Sequence, residues 1–318
     1  MVLREHDNAV RWRREDRGGH VESFFLKAND PASDRAFWLK FTILAPVGGR
    51  EAVGEVWAIL FDGHKEQRAA KETFPVEALA LGPGGVGITL GECEFGPGRS
   101  RGRLRGKDGT VFRWDLRFDG ERAPLKPFPY AWMYTAPFPK SKSLTPTSDT
   151  RFEGFVEAGE LRFEVASWPG MQGHNWGKSH AERYAWAHCN VFADPDGRAV
   201  DAVFEGFSAR IRLGPVVTPF LTACLLTHGG RTYEFNRPIE WLRASTRVTY
   251  TSWSFTARRG QYILVGNLYT PAEQMVGLTY HNPSGGHAHC LNSKIASAEL
   301  PADGRPWPER WYSDPGSA

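Results

Sequence analysis

Residues 168–192, WPGMQGHNWGKSHAERYAWAHCNVF, bring together three Trp, three His, two Asn and three Gly. Flat apolar area with few rotatable bonds, interleaved with a few hydrogen-bonding groups, is what a small-molecule pocket wall requires. Strand alternation over 184–192 would put Tyr184, Trp186, His188, Asn190 and Phe192 on one face and Ala185, Ala187, Cys189 and Val191 on the other. The blander reading of His188 and Asn190 is that they satisfy backbone groups at a barrel mouth.

Two acids could serve such a wall as proton donors. Glu22 alternates in phase with Phe24 and Leu26, and Glu205 with Val203, Phe207, Ala209 and Ile211. A carboxyl desolvated among apolar side chains has a raised pKa and can act as a general acid near neutrality. Each could equally be half of a buried ion pair, with Arg210, Arg212 or Lys40 as partner, and a one-residue slip at a bulge would turn either out to water. In the catalytic reading His174, Asn175, His188 and Asn190 orient the reacting group.

Other chemistries find less support. A metal reading of His287, His289 and Cys290 fails on direction: alternation puts the two imidazoles on one side and the thiol on the other, with no second cluster at ligand spacing. The glycines at 82–85 are followed by no Lys-Ser or Lys-Thr, and no strand-glycine-helix unit occurs. No metal and no cofactor are therefore expected.

These residues must be carried mainly by strands. Alternating stretches at 20–27, 37–44, 53–61, 86–95, 110–118, 160–166, 184–192, 202–213, 233–240, 247–257, 262–268 and 274–281 are separated by turn sequences such as Asp62-Gly63 and Asp119-Gly120. Helical periodicity is scarce. Many short strands at this spacing predict an all-β fold of barrels or sandwiches. At 318 residues two domains are expected, and PFPKSKSLTPTSDT suggests the join. The expected division is an N-terminal domain over 1–139, a linker over 140–150 and a C-terminal domain over 151–318.

Charge narrows the partners. With 39 Lys and Arg against 36 Asp and Glu, the net +3 is too small for a nucleic-acid footprint. Arg99, Arg101, Arg103, Arg105 and Lys107 would share one strand face, read as a solvated outer surface, with an anion site or a transient membrane-surface contact as the alternative. The scattered Cys93, Cys189, Cys224 and Cys290, and the lack of a charged-then-apolar leader, make a cytoplasmic protein with reduced thiols the expectation. Oligomeric state is left open.

The segment around Asn175-Trp176-Gly177, Trp186 and Cys189-Asn190-x-Phe192 resembles the corresponding region of the tocopherol cyclase and carotenoid 1,2-hydratase group. AttH-like proteins and some fungal decalin-forming cyclases share that group's fold. Val21-Glu22-Ser23-Phe24-Phe25 with Lys27 is similar to the family's opening strand, and 273–293, with Cys290 and Ser293, is similar in pattern. The resemblance implies two lipocalin-like (calycin-like) antiparallel β-barrels packed side by side, with an isoprenoid- or polyketide-like ligand in one barrel or between them. It also implies cofactor-free chemistry, in which an acid protonates a double bond and water or an internal hydroxyl captures the cation. Trp176 and Trp186 would stabilise that cation through their ring faces. The hydratase and AttH-like branches tend to carry an acid where this chain has Asn175, so the proton donor must come from elsewhere.

The expectation is a cofactor-independent cyclase, hydratase or isomerase of an apolar substrate. Two alternatives stand beside it: a carrier of a lipid or pigment that leaves its ligand unchanged, and a cyclase that works by shape alone, promoting a pericyclic closure without an acid.

Overall fold

The computed structural model describes residues 8–63 and 65–300 in full, with the backbone alone of 301 and 310–313. The chain first forms β1 (His20–Asn29), β2 (Arg35–Ala45), β3 (Val53–Asp62), β4 (Arg68–Pro75), β5 (Leu79–Leu81), β6 (Ile88–Leu90), β7 (Cys93–Gly96), β8 (Arg99–Arg105), β9 (Val111–Asp119), β10 (Ser141–Ala158) and β11 (Leu161–Gly177). All eleven pair in one antiparallel sheet, ordered β4-β3-β2-β1-β11-β10-β9-β8-β7-β6-β5. The sheet curls into a nearly closed barrel, and Leu90 of β6 covers Gly54 of β3 closely enough to exclude a Cβ there.

Alternation explains both faces of this barrel. On β2, Phe37, Leu39, Phe41 and Ile43 point inward with Phe24, Phe95 and Trp114. Trp38 points outward and joins Trp57, Ile59 and Phe61 of β3 in a second cluster. β1 to β3 are therefore buried on both faces.

What covers the outer face is the second half of the chain. After Gly177, β12 (Arg183–Cys189) becomes the edge of a four-stranded sheet with Ala202–Arg210, Leu221–His228 and Arg231–Phe235. A seven-stranded sheet, with Ser252–Arg259 and Tyr262–Tyr269 among its strands, faces it across Phe192, Phe204, Phe235, Trp253, Phe255 and Leu300. The Val276–His281 and His287–Asn292 hairpin lays Leu278 and Tyr280 against Trp38 and Trp57. The molecule is all-β, with two lipocalin-like units side by side. Among the described residues no helix is long and apolar enough to cross a membrane.

Three local expectations need correction or detail. The 140–150 stretch does not run as an irregular linker; most of it forms the start of β10, paired with β11 through register shifts near Thr147. Its hydroxyls are absorbed by backbone carbonyls, as when Ser148 donates to Ala123 at 3.1 Å and Thr150 to Asp119, so polar composition mimicked a loop. Sheet membership instead changes after Gly177. Strand β12 stops at Cys189, and the break returns Phe192 to the core of the second unit and removes it from the face of Tyr184 and Trp186. Along β8 the arginines do face outward, where Arg99, Arg101 and Arg103 pair with Asp115, Glu94 and Glu92.

Candidate functional site

A cavity of about 750 Å³ lies between the two units, within the usual range for small-molecule sites. Its floor is the outer face of the first barrel: Ser23, Phe25 and Lys27 on β1, Trp38 and Lys40 on β2, and Asn175 on β11. Tyr184, Trp186 and His188 of β12 form one wall, joined by Phe207, which pairs with Trp186 across the sheet. Tyr280, Cys290, Asn292 and Lys294 close the opposite side.

On this wall each side chain is held from behind. Phe25 packs edge-on to Trp186 at 5.6 Å, and the Trp186 indole N–H donates to Glu205 Oε1 at 3.2 Å. Tyr184 is 37% exposed, lines the cavity, and donates its hydroxyl to Cys290 Sγ at 3.4 Å. His188 Nε2 lies 2.8 Å from the Ser148 carbonyl, which can only accept, so Nε2 carries the proton. Burial and the nearby Lys27 charge push the His188 pKa well down, leaving a neutral ring whose Nδ1 has no hydrogen-bond partner. Asn175 Oδ1 is likewise buried and unpartnered. Asn190 also borders the cavity, but its amide is occupied by Asp149 Oδ1 at 2.8 Å and the Gly170 carbonyl at 3.0 Å.

The two sequence-proposed acids have different fates. Glu22 lies at the barrel-inward face of β1 and does not border the cavity. Its carboxylate accepts from the backbone N–H groups of Arg11 and Trp12 at 2.8 and 2.9 Å, from His174 Nε2 at 2.8 Å and from His20 Nε2 at 3.0 Å. Burial pushes its pKa up, but the hydrogen bonds and charge of His174 and His20 reverse the effect and bring it to about 2. A carboxyl so fully satisfied is no proton donor near neutrality; it ties the chain before β1 to the barrel. His174 belongs to the same cluster, stacked on Phe24 at 4.0 Å and fully buried, and so does not orient a ligand. Trp176 shares this strand phase, packs at 4.7 Å from His174, and also borders the cavity.

Glu205 is buried, and burial raises its pKa to about 7 against the pull of the nearby Thr145 hydroxyl, Trp186 and Lys27. Its Oε2 has no hydrogen-bond partner. The carboxyl stands behind the Trp186 ring and does not line the cavity. There it accepts the indole N–H. His287 and His289 are exposed on the side of their strand away from Cys290, and among the described residues no group of three or more His, Cys, Asp or Glu could hold a metal ion.

Sequence reasoning missed the lysines. Lys27 and Lys40 are 4% and 7% exposed and border the cavity with Lys294. Their signal was present in β1 and β2, where Lys27 follows the phase of Ser23 and Phe25 and Lys40 that of Trp38. Only the docking of the second unit makes that phase an interior one.

The family model described as tocopherol cyclase-like matches residues 145–305, half of the chain, from β10 to the C-terminal strands. The chain belongs to the tocopherol cyclase-like family. The matched segment contains the Trp186 wall, Glu205 and Lys294, while β1 and β2, which complete this family member's cavity, lie before it. The uncharacterized protein Rv0493c of Mycobacterium tuberculosis is 26% identical over 299 residues, spanning 93% of this chain and 85% of that protein. Among solved structures, CghA matches with a TM-score of 0.57 at 10% identity, covering 93% of this chain and 87% of that one. Kievitone hydratase from Nectria haematococca gives 0.53 at 8%, covering 91% and 86%. An AttH-type protein from Nitrosomonas europaea gives 0.52 at 14%, covering 96% and 95%. At these identities the likeness is one of fold.

Proposed function

We propose that this chain is a cyclase, hydratase or isomerase that acts on an isoprenoid- or polyketide-like small molecule in the cavity between its two units, using its own side chains. The observation that carries the reading is the wall of β12: a Trp ring on the cavity, its N–H held by a buried carboxyl, beside a neutral His whose buried Nδ1 has no hydrogen-bond partner. A carboxyl oxygen that accepts the indole N–H enriches the ring in electron density, so positive charge developing over Trp186 is stabilised by cation–π attraction. His188 Nδ1 can accept a hydrogen bond from the water or substrate hydroxyl that captures that charge, and Asn175 Oδ1 can orient the same group. Family membership, and the names cyclase and hydratase among its relatives and neighbours, support this class of reaction.

The test is turnover of a panel of polyprenyl and polyene substrates carrying a hydroxyl, followed by mass spectrometry and chromatography for an isomer or for gain or loss of water. Replacing Trp186 with Leu is expected to lower turnover by about a hundredfold, the loss of roughly 2 to 3 kcal/mol of cation stabilisation, with the fold retained. Ligand bound but recovered unchanged across the panel would instead identify a carrier.

A further inference from the structure

Three lysine side chains converge on this mostly apolar cavity. Lys40 lies 3.9 Å from the Tyr280 ring centroid and 5.7 Å from that of Trp38; Lys294 lies 5.4 Å from Trp38 and 5.7 Å from Trp186. Lys27 emerges from β1 close enough to Lys294 that their charges oppose one another. Lys294 donates to Asn292 Oδ1 at 2.5 Å, whereas Lys27, 96% buried, has no hydrogen bond or ion pair with any described residue.

Buried ammonium groups normally sit beside carboxylates. Here none of the acids in reach forms an ion pair with these lysines. Glu55, which draws on Lys40, is bound by Lys71 at 2.9 Å, and Asp149, which draws on Lys27, by Arg122 at 3.3 Å and Arg151 at 3.1 Å. Glu205, which also draws on Lys27, gives its Oε1 to the Trp186 indole. At the rim, Asp30 accepts from Ser33 and Ala32, and Glu182 is paired with Arg212 at 2.7 Å. At this end of the cavity Lys27, Lys40 and Lys294 form no ion pair with a described carboxylate, and they stand between aromatic rings suited to an apolar body.

We propose that the ligand of this cavity is an amphiphile whose anionic oxygen group, carboxylate or phosphate, is received by Lys27 and Lys294 with Lys40 beside them, a reading that rests on small-molecule binding in the cavity. The ligand's anion supplies the missing counter-charge and fixes which end of the molecule lies at the lysines. The remainder then extends along Trp186 and Tyr184, so the head group sets the register of the reacting atoms against the Trp186 ring.

Binding of decanoate, decyl phosphate and decanol to the full chain at pH 7, followed by tryptophan fluorescence and calorimetry, tests this. Decanoate or decyl phosphate is expected to bind at least about tenfold tighter than decanol, as a charge-assisted hydrogen bond provides. Whichever anion binds tighter identifies the head group. The Lys27→Met, Lys294→Met double variant is expected to bind all three ligands to within about twofold, its retained decanol affinity showing an intact cavity. Equal affinity of the wild-type chain for decanol and both anions would overturn the head-group assignment and leave the apolar cavity standing. Binding of none of the three would overturn the cavity reading and the assignment with it.

Discussion

At the scale of single residues, the same side-chain type is driven in opposite directions by its partners. Glu22 and Glu205 both lie in strands among apolar neighbours, yet four hydrogen-bonding residues hold one ionised and the other is brought to about 7. Because the Glu22 pKa is lower in the folded chain than its ordinary 4.5, its stabilisation is fully present above that pH and lost as pH falls towards about 2. Glu22→Gln is thus expected to destabilise by about 3 kcal/mol at pH 7 in urea unfolding, with the difference from wild type shrinking below pH ~4. Burial, together with Lys27 and Lys40, lowers the Lys294 pKa to about 7, which gives the opposite slope. Between that value and the ordinary 10.5 the unfolded chain binds more protons, so this residue's contribution to stability improves as pH rises. The melting temperature of Lys294→Met should therefore gain less than that of wild type between pH 7 and 9. Equal gains would show that Lys294 is not held in a desolvated state.

At the scale of elements, strand alternation distributes one tripeptide over two environments. On β11, His174 and Trp176 share the inward phase of Glu22 and Phe24, with Trp176 also bordering the cavity, and Asn175 lies on the cavity floor, so a sequence motif that looked like one site serves two. The adjacent Gly173 has a different duty. A Cβ there would stand 2.1 Å from the Phe25 ring, the ring that buttresses Trp186. Gly173→Ala is expected to cost about 1 to 3 kcal/mol in unfolding experiments and to weaken ligand binding, because Phe25 must shift towards the cavity. Adding Phe25→Leu should recover most of that stability; no recovery would place the strain elsewhere. The faces of Glu22 and Glu205, and the shared side of Tyr184, Trp186 and His188, were readable from alternation. Phe192 was not, since the break after Cys189 shifts the phase by leaving the strand.

For the molecule as a whole, the first barrel depends on β10 and β11, which lie between β1 and β9 in the sheet. We propose that the folding unit ends near residue 178. A fragment of residues 8–139 leaves β1 and β9 each with one edge unpaired and is expected to show no cooperative melting by circular dichroism. Residues 8–178 should form the barrel but expose Trp38, Trp57 and Ile59, and therefore self-associate in sedimentation. Cooperative folding of the shorter fragment would refute this division. The same outer face that makes the fragment sticky forms the cavity floor in the full chain.

By itself, the sequence determined an all-β molecule, the inward and outward phases of most strands, and an aromatic wall on β12, because a period of two is a local property of the backbone. Tertiary structure alone decided that the outer face of β1 and β2 is interior, that the 140–150 stretch is strand, and that Lys27, Lys40 and Lys294 meet at one end of a cavity. Burial and charge are properties of surfaces brought together from distant parts of the chain. No pattern within a strand states which surface will cover it.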